Sequence, residues 1–419
     1  MRIRSLWSRH RCKVLIVTPW YGGANGGVAI STESLAGALV RRGVGVLVAV
    51  LDRRDGKRFE RGRHGELLLG LTSYGPEVRR LGVKGRLGYY RRALESGLTV
   101  AYVVVRYGVR IVHFQYAVPG FTPIQAWLRI LHVPFIVTFH GSDVHQAALG
   151  SEAARRIDSL IRSANLVTAI SDGLLRDLEK RSPHARGTTH VVPNGIPIDI
   201  WDSAADPDLC AKRDIDVLFV GNLRFVKGPD FLVEAFRVLI SLRPSTSLVF
   251  VGSGDMDEQL RLRVREAGLE AHVIFAGRVG RTDIADYYRR ARVLAVPSRA
   301  EGFSLVAAEA QLFGVPVVAT AVGGLPQTVC DGQTGTLVPF GDTAAFVAAF
   351  CGLLDDEGQW VRASNRARTW AREHFSPDVM AARFDDLYDR VLQTAQRSVE
   401  ADVKVSAPDS TGSTNMLDS

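Results

Sequence analysis

Two glutamates, Glu301 and Glu309, stand with seven residues between them in the run RAEGFSLVAAEAQLFGVPVVAT, which reads as a strand-to-helix crossover. The apolar run VLAVPS (residues 293–298) precedes the helix and VPVVAT (315–320) follows it, each bounded like a buried strand. Gly302 and Ser304 open the helix, so its first backbone N–H groups and the positive end of its dipole are free to hold an anion. Glu301 lies just before that end and Glu309 about two turns further in, so one carboxylate faces the ligand and the other reaches past it. Carboxylates beside an anion seat accept hydrogen bonds from hydroxyl groups. The ligand expected here carries hydroxyls on both sides of a diphosphate.

Two further stretches supply the complementary charge. In VGNLRFVKGPDF, Arg224 and Lys227 follow a strand on the loop at its carboxyl end. Two cations facing a helix N-terminus neutralise a diphosphate and stabilise it as a leaving group, a task that metal ions perform elsewhere, so no metal is expected. The first strand runs into YGGANGGVAIST, where Gly22, Gly23, Gly26 and Gly27 let backbone amides approach a phosphate with no Cβ in the way. That turn does not fit G-x-G-x-x-G, which argues against a nicotinamide cofactor. His140, in FIVTFHGSDV, follows another strand with Asp143 three residues on, where it can bond a sugar hydroxyl or hold an acceptor. His113, inside the strand pattern IVHFQYA, reads as structural.

The elements that position these groups alternate. KVLIVTP, VGVLVAVLD, RIVHFQYA, PFIVTFHG and NLVTAIS are separated by helical patterns, and after residues 191–208 (VVPNGIPIDIWDSAADPD) the alternation restarts with VLFVGN, LVFVGSG, VIFAG, VLAVPS, VPVVAT and GTLVP. This is the signature of βαβ units around parallel sheets. It implies an α/β chain of two doubly wound domains facing across a cleft, the length of 419 residues being too great for one ordinary core. The expected divisions are residues 1–200, residues 201–376, a docking helix over 377–398 and a polar, disordered tail over 399–419.

Net charge divides along the same line. Residues 1–200 hold 29 Lys+Arg and 14 Asp+Glu, a balance of +15, and the remainder 23 and 30, a balance of −7, giving +8 for the chain. The first half is therefore expected to meet something anionic. Arg79, Arg80, Lys84, Arg86, Arg91 and Arg92 lie in one stretch with Leu81, Leu87, Tyr89 and Tyr90 interleaved, a mixture suited to an anionic membrane surface or a lipid phosphate, or to a solvated face. Nucleic acid is not indicated, for no helix-turn-helix, zinc finger or aromatic RNA platform is present. The four cysteines are scattered without a C-x-x-C, and no apolar run reaches the ~18 residues of a membrane span. A cytoplasmic protein, peripheral at most to the inner face of a membrane, is the expectation.

Taken together, GGV (26–28), FHGSD (139–143), VPNGI (192–196), GNLRFVKG (221–228), EGFSLVAAE (301–309), AVGGLPQTV (321–329) and DGQTGTLVP (331–339) resemble, in order, the motifs of the retaining glycosyltransferases of family 4, which have the GT-B fold. The resemblance covers roughly residues 13–397. It implies that Glu309 binds ribose hydroxyls and Glu301 the donor sugar, that Gly27 and the amides of Gly302, Phe303, Ser304 and Leu305 hold sugar and diphosphate, and that Arg224 and Lys227 grip the pyrophosphate. Arg278 and Val279 would lie against the base, His140 beside the anomeric centre, and the final helix would cross back to the first domain. Two departures stand out. Asn222 occupies a place where many members have arginine, and Gln327 replaces the acid of GG-x-P-E, which bears on donor or acceptor choice.

The reaction this resemblance implies is transfer of a sugar from a UDP- or GDP-linked donor to a hydroxyl acceptor, with retention and without a cofactor. The basic first half points to a lipid-linked or surface-polysaccharide acceptor. A soluble acceptor, or a non-catalytic scaffold that binds a nucleotide sugar, are the alternatives.

Overall fold

The computed structural model describes residues 13–22, 26–51, 60–71, 83–118, 121–148, 150–201 and 212–406. Eight strands form the first sheet: β1 (Lys13–Thr18), β2 (Gly45–Leu51), β3 (Glu60–Arg61), β4 (Leu67–Leu71), β5 (Ile111–Gln115), β6 (Phe135–Phe139), β7 (Leu166–Ala169) and β8 (Thr189–Val191). Their order is β3-β4-β2-β1-β5-β6-β7-β8, parallel throughout except for the antiparallel pair β3 and β4. The second sheet holds β9 (Ile215–Val220), β10 (Leu248–Val251), β11 (Val273–Gly277), β12 (Ala291–Val296), β13 (Val317–Thr320) and β14 (Gly335–Val338) in the order β11-β10-β9-β12-β13-β14, all parallel. Residues of β5, β6, β10 and β13 are buried without alternation, because helices cover both faces of each sheet. The expected α/β architecture of two doubly wound domains is the one observed.

Both sheets reverse strand order beside their first strand, between β1 and β5 and between β9 and β12. Loops leaving the carboxyl ends on either side of such a point diverge and leave a crevice. The segments after β1, β6, β9 and β12 carry Gly27, His140, Lys227 and Glu301 respectively. Topology alone thus gathers the chemically suggestive residues.

Helix Gly27–Arg41 covers one face of the first sheet, and helix Pro377–Ser406 lies against it. Met380, Phe384, Tyr388 and Val391 share a buried cluster with Val14, Ile16, Leu35 and Leu39, so the last helix completes the core of the first half of the chain. Asp378 and Asp385 also pair with Arg41 and Arg42 at 3.1 and 3.3 Å. Those exposed pairs orient the helix more than they stabilise it. The chain passes between the two halves twice, and the passages touch: Ile196 N donates to Phe375 O at 2.8 Å, and a Cβ on Gly195 would lie 2.9 Å from Pro377 Cα.

Three differences from the expectations of the sequence have physical causes. Strands β3, β4 and β8 are additional, and at two, five and three residues they are too short to carry a clear period. The basic stretch runs into a helix, Val83–Tyr107, whose Gly85, Gly88 and Gly97 dilute the helical signal. The tail expected to be disordered from residue 399 is helical as far as Ser406, because the docked helix simply continues; residues 407–419 lie outside the described residues.

Truncating Phe384, which is 2 % exposed, is expected to cost about 3–5 kcal/mol. Chemical denaturation of Phe384→Ala checks this, and a loss under about 1 kcal/mol would mean that the helix is not part of the core.

Candidate active site

The expected anion seat is the start of helix Leu305–Leu312, where Ser304 is the N-cap and its Oγ accepts from Ala307 N. A Cβ on Gly302 would lie 2.8 Å from His140 O and 3.3 Å from Gly141 Cα, so this loop of the second half touches the His140 loop of the first. Ser171 Oγ donates to Gly302 O at 2.7 Å. A Cβ on Gly27, at the start of the first helix, would meet Leu305 Cδ1 at 3.1 Å. Two helix N-termini, one from each half, therefore converge on one place. Phe303 contributes only backbone there, since its ring is buried edge-on against Phe375 at 5.4 Å.

Lys227 and Glu301 are brought together: Lys227 Nζ donates to Glu301 Oε2 at 2.6 Å, and Ser298 Oγ adds a bond to the same oxygen at 3.2 Å. The carboxylate is 9 % exposed and the lysine one-third exposed, so the pair faces the cleft. Arg224, by contrast, is exposed at the start of the 3-10 turn Phe225–Lys227, where its carbonyl accepts from Lys227 N at 2.9 Å and its side chain stands outside the Lys227–Glu301 pair. Arg278 is exposed too, and Val279 packs partly against the core.

Glu309 lies deeper. Its Oε2 accepts from the Tyr288 hydroxyl at 2.9 Å. Burial lifts its pKa to about 7, against the opposing pull of that hydrogen bond and of the Arg281 charge. Arg281 is itself shared, because it also reaches Glu33 of the first helix at 3.6 Å.

His140 is held by groups that no sequence motif singles out. Its Nε2 lies 2.7 Å from Gln115 Oε1, and Gln115 Nε2 lies 3.1 Å from His113 Nε2. His113 Nε2 also meets Thr138 Oγ1 at 2.6 Å, and its Nδ1 meets the Tyr388 hydroxyl of the C-terminal helix at 2.7 Å. With the Gln115 carbonyl facing it, His140 carries its proton on Nε2 and keeps the Nδ1 lone pair. Burial pushes both imidazoles down to about 3, so His140 is neutral at any physiological pH. His113 is structural, as expected, but structural in a way that bears on His140. The one sequence signal for this chain of contacts is the presence of polar residues inside a strand, at 113 and 115.

Asp143 fixes the loop. Its carboxylate accepts from the backbone N–H groups of His140, Gly141, Val144 and Ala117, at 3.1, 2.8, 3.1 and 3.1 Å. Next to it Tyr116, at the end of β5, has a left-handed φ of 78°, a strained state for a residue with a side chain. Gln327, the departure from GG-x-P-E, spans the two halves: its Oε1 accepts from Asp172 N at 2.7 Å, at the first turn of helix Asp172–Arg181. Its observed role is to join the halves.

Of the basic stretch, Arg79 and Arg80 lie outside the described residues, and Lys84 and Arg86 are described only as helical backbone. Arg91 and Arg92 are exposed on helix Val83–Tyr107. A cavity of about 700 Å³ opens between the ends of β1 and β2 and the β3–β4 turn, lined by Trp20, Tyr21, Glu33, Arg61, Arg63 and Glu66. Among the described residues no three His, Cys, Asp or Glu side chains are grouped to hold a metal ion.

Known proteins share this architecture and sequence. The family model described as Glycosyltransferase Family 4 matches residues 25–200, and that described as Glycosyl transferases group 1 matches residues 206–370. A D-inositol 3-phosphate glycosyltransferase of Xylanimonas cellulosilytica is 33% identical over 304 residues, covering 66% of this chain and 71% of that protein. Another, of Streptomyces griseus subsp. griseus, is 30% identical over 404 residues, covering 89% and 82%. Among solved structures, the sucrose-phosphate synthase of Thermosynechococcus elongatus superposes with a TM-score of 0.71 at 22% identity, over 92% of this chain and all of that one. Anabaena HepE in complex with UDP superposes with a TM-score of 0.68 at 20% identity, over 90% of this chain and all of that one. With these relatives matched over most of their length and each half of the chain matched by its own model, the protein belongs to glycosyltransferase family 4, a group of enzymes with the GT-B fold.

Proposed function

We propose that this glycosyltransferase moves a sugar, with retention, from a nucleoside diphosphate to a hydroxyl of a lipid-linked or surface-polysaccharide intermediate. One observation carries the donor half of this reading. The Lys227–Glu301 pair faces the cleft beside a helix N-terminus whose Gly302 touches the His140 loop. A donor entering there exchanges one pair for two interactions, a sugar hydroxyl on Glu301 and a phosphate oxygen on Lys227. When the sugar–phosphate bond breaks, its electrons stay on the phosphate oxygen. The amides of residues 302–305, Lys227 and Arg224 then stabilise the added charge, which needs no metal. His140, being neutral with its proton engaged by Gln115, can accept a hydrogen bond from a sugar hydroxyl at Nδ1 without repelling the developing positive charge. Glu309 takes the ribose hydroxyls, and Arg278 and Val279 flank the base.

On the acceptor side, the net charge of +15 over residues 1–200 favours an anionic partner. The 700 Å³ cavity offers such a partner Arg61 and Arg63, set among Glu33, Glu60 and Glu66. A second reading, a soluble anionic polyol, draws on the names of the relatives from Xylanimonas and Streptomyces. Transfer assays with a lipid-extracted and a water-soluble acceptor pool separate the two.

Three outcomes follow. Lys227→Ala is expected to lower kcat/KM by about 10²–10³ if the lysine neutralises the leaving group, and a change below about threefold would remove it from the site. Because folding raises the Glu309 pKa above its unfolded value of 4.5, the ligand-free protein loses stability as pH rises from there through about 7. Ribose hydroxyls favour the charged form, so calorimetric affinity for UDP or GDP should rise from pH 6 to pH 8, and Glu309→Gln should flatten the part of that rise not due to the phosphate. An identical profile in the variant would detach Glu309 from the nucleotide. Finally, Gln115→Leu is expected to lower kcat about tenfold with nucleotide affinity unchanged, because it frees the His140 ring without touching the donor; equal loss of both would mark a folding defect instead.

A further inference from the structure

Helix Val83–Tyr107 has two apolar faces. Ala93, Ser96, Gly97, Val100, Val103 and Val104 are buried, and at Gly97 the fit is so close that a Cβ would lie 2.7 Å from the Trp127 ring. Leu87, Tyr90, Leu94, Leu98, Tyr102 and Val105 are instead 72, 63, 54, 45, 59 and 71% exposed. Their spacing of three or four residues aligns them in a stripe roughly 27 Å long. Single exposed apolar residues are commonplace, but six in line on one helix form a patch that needs an occupant.

Charge identifies the occupant. Arg91, Arg92 and Arg106 are exposed on the same helix, and Arg110 and Arg129 on the segments that follow. Glu95 is the only carboxylate between residues 83 and 142, and it is engaged by Arg91 at 3.3 Å. Two copies docked stripe to stripe would bring their arginine margins together with almost no acid to offset them. An anionic lipid surface answers both features at once: aliphatic and tyrosine side chains enter the boundary between headgroups and acyl chains, and arginines bind the phosphates. Among the described residues no helix is long and apolar enough to cross a membrane, so the contact is one of lying on the surface.

We propose that the outer face of helix Val83–Tyr107 docks on an anionic membrane, with Leu87, Leu94, Leu98, Tyr102 and Val105 entering the interface. This deepens the reading of a lipid-linked acceptor and rests on it for its purpose, since it would hold the first half of the molecule against the surface that carries the acceptor.

The test is flotation of the full chain with vesicles of phosphatidylcholine alone and of phosphatidylcholine with about 30% phosphatidylglycerol. Binding to the anionic vesicles is expected to exceed binding to the neutral ones by about tenfold and to weaken as salt rises from about 0.1 to 0.5 M. Leu94→Glu combined with Tyr102→Glu should lower it at least tenfold, with melting temperature and nucleotide affinity unchanged because both positions face outward. The proposal is overturned if the chain ignores anionic vesicles, if the double variant binds them like the parent, or if the stripe is a dimer contact, seen as a parent dimer that becomes monomeric in the variant while vesicles bind neither. Failure of the acceptor reading looks different: the chain floats with vesicles, yet transfers sugar only to water-soluble acceptors.

Discussion

Gly302 tolerates no side chain, because a Cβ there would press on the His140 carbonyl oxygen, and this contact between two backbones is what the site depends on. Gly173 and Gly324 are similarly closed in, the first by the Gly323 backbone and the second by that of Gly302. With hydrogen atoms alone at these places, the start of helix Leu305–Leu312 approaches the His140 loop within van der Waals distance. A helix terminus acts on charge only within about its first turn, so without this approach its amides would be too far from the histidine to share a ligand with it. The Ser171 and Gln327 hydrogen bonds across the same seam then fix the relative position of the halves.

Glu301 and Glu309 are both largely buried, 9 and 5% exposed, and differ in their partners. Glu301 is paired and reachable, whereas Glu309 is enclosed by Tyr288 and held near its neutral form by desolvation. A ligand hydroxyl that bonds the Glu309 carboxylate would favour its ionised form. Binding of such a hydroxyl would thereby be coupled to proton release.

Much of this architecture is legible in the order of residues along the chain. The six strands of the second half, the crossover carrying Glu301 and Glu309, and the loop carrying Lys227 follow from apolar runs broken by glycine, a local signal. Gln115 as the partner of His140, and Tyr388 as the partner of His113, are not legible, for the first comes from a strand interior and the second from a helix 275 residues beyond His113, brought together only by packing. Arg224 is legible as a cation on the loop after β9, and the structure adds that it is exposed there, ahead of the 3-10 turn. The stripe on helix Val83–Tyr107 has no distinct signature in the sequence because the helix is apolar on both sides, and only the packing beneath it decides which side is covered.

The paired passages between the halves have a mechanical consequence. Because Ile196 and Phe375 are hydrogen-bonded neighbours, the two covalent tethers lie side by side, and a separation of the halves that keeps this bond would swing about it as a single pivot. Such a door opens widest at the far edge and hardly at all beside the tethers. The C-terminal helix, fastened to the first sheet beyond the pivot, travels with the frame and not with the door.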